Sequence, residues 1–355
     1  MNSRSHIVRF LISWAMFCPS FVLLPASLSH AQAPKPKQAT LGLYSSRHYD
    51  VDEKINKMFT DKTGITIQHI QMKEASHLVE RIKAEGKATK ADVVMTVDIG
   101  NIWRAASAGI LADTDITAAR QLVSNELQDP KGKWYAISQR ARVIVYNKTK
   151  LKPDQVANYE NLATPQFKGK VLIRSSNHVY NQSLVASFIK HLGKDKAETW
   201  VKGIASNLAR KSEGGDTDQI RAVAAGVGDV AIVNSYYVVR LLKSKKPEDM
   251  AVVEKIGVVF PNQSDRGTHV NISGAAIAAH APNKDSAIQF ISFLLSPEVQ
   301  TLYAEENGEF PVVKSVSLPT ILAGLGNFKA DTTSLASIGA LTPEAVMITD
   351  RSTWR

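Results

Sequence analysis

Cysteine is nearly missing from this 355-residue chain, and the only one, Cys18, precedes every segment patterned like folded structure. No disulfide, thiolate metal site or cysteine nucleophile is therefore expected in the folded body. Long apolar runs are as scarce. The single example, Phe10 to Leu24, is short, carries Pro19 and is followed by Pro25, which argues against membrane spans. The formal charge is +10, yet dense basic blocks are absent and lysines alternate with acids, as from Lys243 to Asp249. That pattern reads as a solvated face, and no nucleic-acid partner is expected. His-Glu-x-x-His, Gly-x-Ser-x-Gly and phosphate-loop motifs are also lacking, so common hydrolytic and nucleotide chemistries have no foothold.

What stands at the N-terminus is an address. Arg4 and Arg9 precede the apolar run, and Ser29-His30-Ala31 places small residues at −3 and −1 of a cleavage site. Residues 1–31 are expected to be a signal peptide and the protein periplasmic. The rival cut after Ala33 would put Pro34 beside the scissile bond, and Phe17 before Cys18 departs from the lipoprotein pattern. Residues 32–38, Gln-Ala-Pro-Lys-Pro-Lys-Gln, have linker composition. The remaining length exceeds one ordinary domain, and two are expected.

From residue 39 the chain alternates β-like and helical patterns. Strands are expected at 39–45, 65–71, 91–97, 133–146, 170–173, 229–233, 256–260 and 268–279. Helices are expected at 50–63, 76–85, 99–108, 181–192, 194–206, 218–225, 284–295 and 297–307. This rhythm predicts a mostly parallel sheet covered on both faces. The long strand 133–146 could run from one lobe to another, giving a hinged clamp with a cleft between two α/β lobes.

Tyrosines stand at three matching places. His48-Tyr49, Tyr180 and Tyr236-Tyr237 each follow an apolar β-rich run and open a helical stretch, which is where open α/β sheets bind ligands. Asp50, Asn177, and Asn234 or Ser235 are the expected helix caps, with Tyr180 just ahead of its helix. Four phenols and an imidazole are thus candidates for one site. Phenolate is a hard anionic donor, and a hard trivalent cation best compensates the deprotonation of several phenols. Ferric iron is the expected cargo, with ferrous iron the weaker alternative and no organic cofactor. Arg47, Arg140, Arg142 and Arg240 are candidates to offset the phenolate charge. Arg240 lies four residues beyond Tyr236, on the same helix face. Tyr146 reads as core; His178, His269 and His280 read as structural or surface positions.

Five motifs then carry a resemblance: Leu43 to Tyr49, Arg140 to Lys148, Arg174 to Ser183, Gly228 to Tyr237, and Arg266 to Gly274. In this order they resemble the periplasmic ferric-iron-binding proteins of ABC importers, over nearly all of the chain beyond residue 40. The likeness is greatest to the cyanobacterial-type, tyrosine-rich branch. It implies a two-lobed type II periplasmic binding protein fold, with lobes at 39–139 plus 271–313 and at 140–270 plus 314–355. It further implies Tyr49, Tyr180, Tyr236 and Tyr237 as iron ligands, His48 as an optional fifth, and Arg47, Arg140 and Arg240 in support. Other branches use a glutamate where this chain has Val97; Asp98 beside it is expected to point elsewhere. The implied partners are an inner-membrane ABC permease and its ATPase, the implied cargo is iron or an iron chelate, and a monomer is expected. Two other readings stay open: the same fold clamping a small anion through its arginines, and a secreted metal-dependent enzyme.

Overall fold

Strand β1 (Thr40–Ser45) lies between β2 (Thr66–Gln71) and β3 (Val93–Val97), and pairs in parallel with both. The computed structural model describes residues 10–11 and 39–355, so the expected signal peptide and linker otherwise lie outside the described residues. Further strands are β4 (Tyr135–Asn147), β5 (Val171–Leu172), β6 (Val230–Asn234), β7 (Ile256–Val259) and β8 (Val270–Ile277). The sheet order is β2-β1-β3-β8-β4-β6-β5, with β7 also paired to β4.

The principal helices are α1 (Asp50–Thr63), α2 (Ala75–Glu85), α3 (Ile99–Ser107), α4 (Thr117–Leu122), α5 (Val179–Leu192), α6 (Lys194–Asn207) and α7 (Asp216–Ala224). They continue as α8 (Ser235–Lys243), α9 (Pro247–Lys255), α10 (Lys284–Leu294), α11 (Pro297–Leu302), α12 (Thr320–Ala323) and α13 (Leu335–Asp350). A π-helical turn, Tyr303–Asn307, prolongs α11. Among the described residues no helix is long and apolar enough to cross a membrane.

The expected mostly parallel sheet is a mixed one. β8 runs antiparallel to both β3 and β4, and β4 runs antiparallel to β6 and β7. The cause is β4 itself, a 13-residue strand serving two neighbourhoods. Its first half, Tyr135 to Ala141, pairs with β8; its second half, from Arg142, pairs with β6 on one edge and β7 on the other. Arg140 and Arg142 fall at this changeover, two residues apart and so on one face of the strand.

Burial follows the pairing. β1, β3, β4, β6 and β8 are buried almost throughout, and their Val, Ile, Leu and Ala side chains make the core. Tyr146 is buried as expected, and Gly257 beside it has no room for a side chain, since an added Cβ would stand 2.2 Å from the Tyr146 ring. Helix α13, absent from the sequence expectations, packs against α3 and α5. Its Pro343 and its weakly polar surface conceal the helical period.

Gly42 makes the closest backbone approach between β1 and the entry to β3. Its N–H donates to Asp92 Oδ2 at 2.7 Å, and an added Cβ would stand 1.7 Å from the Lys90 carbonyl oxygen. Backbone cannot swing aside as a side-chain tip can. Gly42→Ala is therefore expected to lower stability by about 3 kcal/mol, the upper part of the overpacking range. Urea unfolding should show a lower midpoint with an unchanged slope.

Candidate metal centre

The expected tyrosines meet. Tyr49 occupies the N-cap position of α1, Tyr180 the first turn of α5, and Tyr236 and Tyr237 the first turn of α8. Tyr49 Oη donates to Tyr236 Oη at 3.4 Å, and Tyr180 Oη stands 3.1 Å from the same atom. The Tyr237 ring lies 4.2 Å from that of Tyr236 at 31°. Tyr49 follows β1, Tyr180 follows β5 and Tyr236 follows β6, so three strand ends deliver these hydroxyls to one point.

The helix starts are built differently from expectation. Asp50 is the first helical residue of α1 rather than its cap. α5 begins at Val179, and its cap is His178, whose Nδ1 accepts from the Tyr180 N–H at 3.3 Å. Burial first, then Arg174, Arg142 and Arg140, push the His178 imidazole down to about 3. It is thus neutral and able to accept. Asn234 does stand at the N-cap of α8, but its Oδ1 accepts from Arg142 instead of capping. Ser235 Oγ accepts from the Ala141 N–H. The arginines and β4 have taken over groups that the helix ends would otherwise use.

Arg47, Arg140 and Arg142 form a buried layer beneath the phenols, with Arg174 half-buried and Arg240 exposed at its edge. Arg47 lies over the Tyr49 ring at 4.7 Å, and Arg140, Arg142 and Arg174 lie 5.6, 5.8 and 5.4 Å from the Tyr180 ring. Arg240 lies over Tyr49, Tyr236 and Tyr237 at 5.4, 5.0 and 5.4 Å. Two carboxylates that sequence reasoning missed organise this layer. Glu309, fully buried, accepts from Arg47 at 3.3 Å and Arg140 at 3.2 Å, while Arg47 also pairs with Asp52 at 2.9 Å. Asp216 pairs with Arg142 at 2.7 Å and stands 3.8 Å from Arg174. No local pattern marks Glu309, because it lies 262 residues from Arg47.

Asp98 points elsewhere, as expected. Its Oδ1 accepts from the Gly100 N–H at 2.9 Å and from Ser183, and its Oδ2 from Asn271 at 2.9 Å, tying α3 to α5 and β8. His269 is buried, while His280 is exposed. His48 is exposed at the rim. It lines both a cavity of about 470 Å³ shared with Tyr180, Arg174 and His178, and one of about 520 Å³ shared with Tyr49, Arg240 and Asn307.

All four phenols resist ionisation in this setting. Burial, followed by the other phenols, holds Tyr180 and Tyr236 well above the usual tyrosine value. Burial and then Tyr180 push Tyr237 up to about 12; burial and then Glu309 raise Tyr49. Near neutral pH they stand protonated, with Tyr49 and Tyr180 hydrogen-bonded to Tyr236. Oxygens about 2 Å from a small hard cation stand roughly 2.8–3.3 Å apart, close to the spacing observed here. Among the described residues no group of three or more His, Cys, Asp or Glu side chains is placed to hold a metal ion.

Residues 88–324 match the family of bacterial extracellular solute-binding proteins. This chain belongs to that family. Iron uptake protein A1 of Synechocystis sp. is 44% identical over 319 residues, 90% of this chain and 88% of that protein. A Trichodesmium IdiA/FutA structure in complex with iron and citrate superposes with a TM-score of 0.85 at 47% identity, covering 89% of this chain and all of that one. The ferric binding protein from Campylobacter jejuni gives 0.83 at 40% identity, covering 87% and 98%. The fold of this solute-binding protein is the two-lobed α/β type II arrangement.

The solute-binding protein depends on Glu309 for the neutrality of its buried layer. Burial opposes the Glu309 carboxylate, yet Arg47 and Arg140 hold it below the usual carboxylate range. A depressed folded value means stability present at neutral pH and lost as pH falls through that value. Glu309→Gln is expected to cost about 3–5 kcal/mol at pH 7 by leaving two buried guanidiniums short of charge. Urea unfolding at stepped pH should show the difference shrinking as pH falls through the depressed Glu309 value and the wild-type carboxylate takes up its proton.

Proposed function

We propose that this chain is a periplasmic solute-binding protein that captures ferric iron through Tyr49, Tyr180, Tyr236 and Tyr237. His48 sits at the rim as an optional fifth ligand. The carrying observation is the meeting of three phenol oxygens from three separate strand ends, those of Tyr180 and Tyr49 standing 3.1 and 3.4 Å from that of Tyr236. Arg47, Arg140 and Arg240 offset the charge that four phenolates bring. The protein is a carrier rather than an enzyme. It passes iron as a monomer to an inner-membrane ABC permease driven by its ATPase, after export by the signal peptide at 1–31. The relatives' names, iron uptake protein and ferric binding protein, support the same cargo.

The lobes of this carrier are placed at 39–139 plus 271–313 and at 140–270 plus 314–355. The support is the change of partner along β4, from β8 up to Ala141 to β6 from Arg142. The anion-clamp reading is the weaker one, because Arg47, Arg140 and Arg142 are already paired with carboxylates.

Each phenol must lose a proton to bind, and burial makes that harder, so the metal must supply the difference. Ferric citrate added to the stripped protein at pH 7 is expected to give a one-to-one phenolate-to-iron charge-transfer band. Tyr236→Phe should shift or abolish the band and cost more affinity than the roughly 10–100-fold of a lost supporting contact. Lowering the pH from 7 to 5 should weaken binding as protons reclaim the oxygens. Absence of any band near neutral pH would leave the anion reading in its place.

A further inference from the structure

The arginines at the tyrosine cluster differ in what holds them. Arg47 is paired with Asp52 and Glu309, Arg140 with Glu309, and Arg142 and Arg174 with Asp216. Arg240 is different: its Nη2 donates to the side-chain oxygen of Asn307 at 2.8 Å, and among the described residues no carboxylate pairs with it. Asn307 is buried, and its Nδ2 donates to Glu309 Oε2 at 2.8 Å. A neutral amide therefore stands between the buried carboxylate and the outermost cation. Its two ends match the partners they face, acceptor toward guanidinium and donor toward carboxylate.

The backbone is shaped to put that amide there. Asn307 closes the π-helical turn Tyr303–Asn307, a departure from regular helix that often marks functional sites. Gly308 follows at φ 73°, a left-handed conformation that side chains disfavour, and an added Cβ would stand 2.7 Å from Val239. Helix α8 can thus settle against the turn, bringing Arg240, the neighbour of Val239, to Asn307. Lys243, one turn on, donates to the backbone carbonyls of Glu305 and Glu306.

We infer that Asn307 is a positioning residue for cargo capture, holding Arg240 over Tyr49, Tyr236 and Tyr237 with its charge left free for the iron-bound phenolates. The inference rests on the ferric reading of the site. Four phenolates and one ferric ion leave one negative charge, and among the described arginines lying over these four rings Arg240 is the one not committed to a carboxylate. A carboxylate at position 307 would cancel the charge of Arg240 and stand against Glu309 with no proton to donate; an amide holds Arg240, donates to Glu309 and leaves the charge free.

The test is a double-mutant cycle on the mature protein, read by ferric titration against citrate at pH 8 and by the charge-transfer maximum. Arg240→Gln and Asn307→Leu are each expected to keep one-to-one binding, to shift the band the same way, and to lose roughly three- to thirtyfold in affinity, the range of a cation held over aromatic rings. Combined, they should be no worse than Arg240→Gln alone. Wild-type affinity and band in Asn307→Leu, or losses that multiply in the double variant, would overturn the inference. If Asn307→Leu does not fold, the smaller Asn307→Ala removes the same contact to Arg240 and is expected to lose affinity over the same range; wild-type affinity there would overturn it equally. Absence of the band in wild-type protein would instead sink the ferric reading itself.

Discussion

The site depends on one buried ion cluster, Glu309 between Arg47 and Arg140. Isolated, each of these charges would be costly inside a protein; together, with Asp52 and Asn307 completing the contacts, they are stable in place. The cluster keeps two guanidiniums buried under a group of phenols, their charge matched by Glu309 and Asp52. Phenols packed this tightly remain neutral by themselves, and the nearby arginines lower the cost of making them anionic. The second pairing, Arg142 with Asp216, does the same beneath Tyr180. These contacts set the local architecture. Asn234 gives up its capping role to Arg142, and His178 takes the cap of α5.

Much of this was legible in the sequence because the relevant signals are local. Apolar runs ending in tyrosine-bearing turns located β1, β5 and β6 and the helices behind them, and the four-residue spacing from Tyr236 to Arg240 put the cation on the right face. Glu309, Asp216 and Asn307 were not legible. Their partners are distant along the chain, and Gly308-Glu309-Phe310-Pro311 reads locally as an ordinary turn. The capping residues were misplaced by one position each: Asp50 is the first residue of α1 behind Tyr49, and the local bond from the Tyr180 N–H to His178 Nδ1 starts α5 just beyond Asn177.

The sheet illustrates the same limit. Alternating strands and helices predict parallel pairing wherever successive units stack, and that holds for β1 with β2 and β3, and for β5 with β6. It fails at β4 and β8, whose partners come from remote parts of the chain. Helix α13 escaped notice because it buries residues on several sides, between α3 and α5, leaving no clean polar stripe to reveal its period.

One strand supplies both the continuity of the sheet and the charge of the site. Arg140 and Arg142 are attached to β4 at the point where its pairing passes from β8 to β6. Flexure of the molecule about that point would turn the two guanidiniums with the backbone that carries them. The sheet's change of partner and the buried guanidiniums share one point on one strand, so the placement of charge follows directly from the pairing of the backbone.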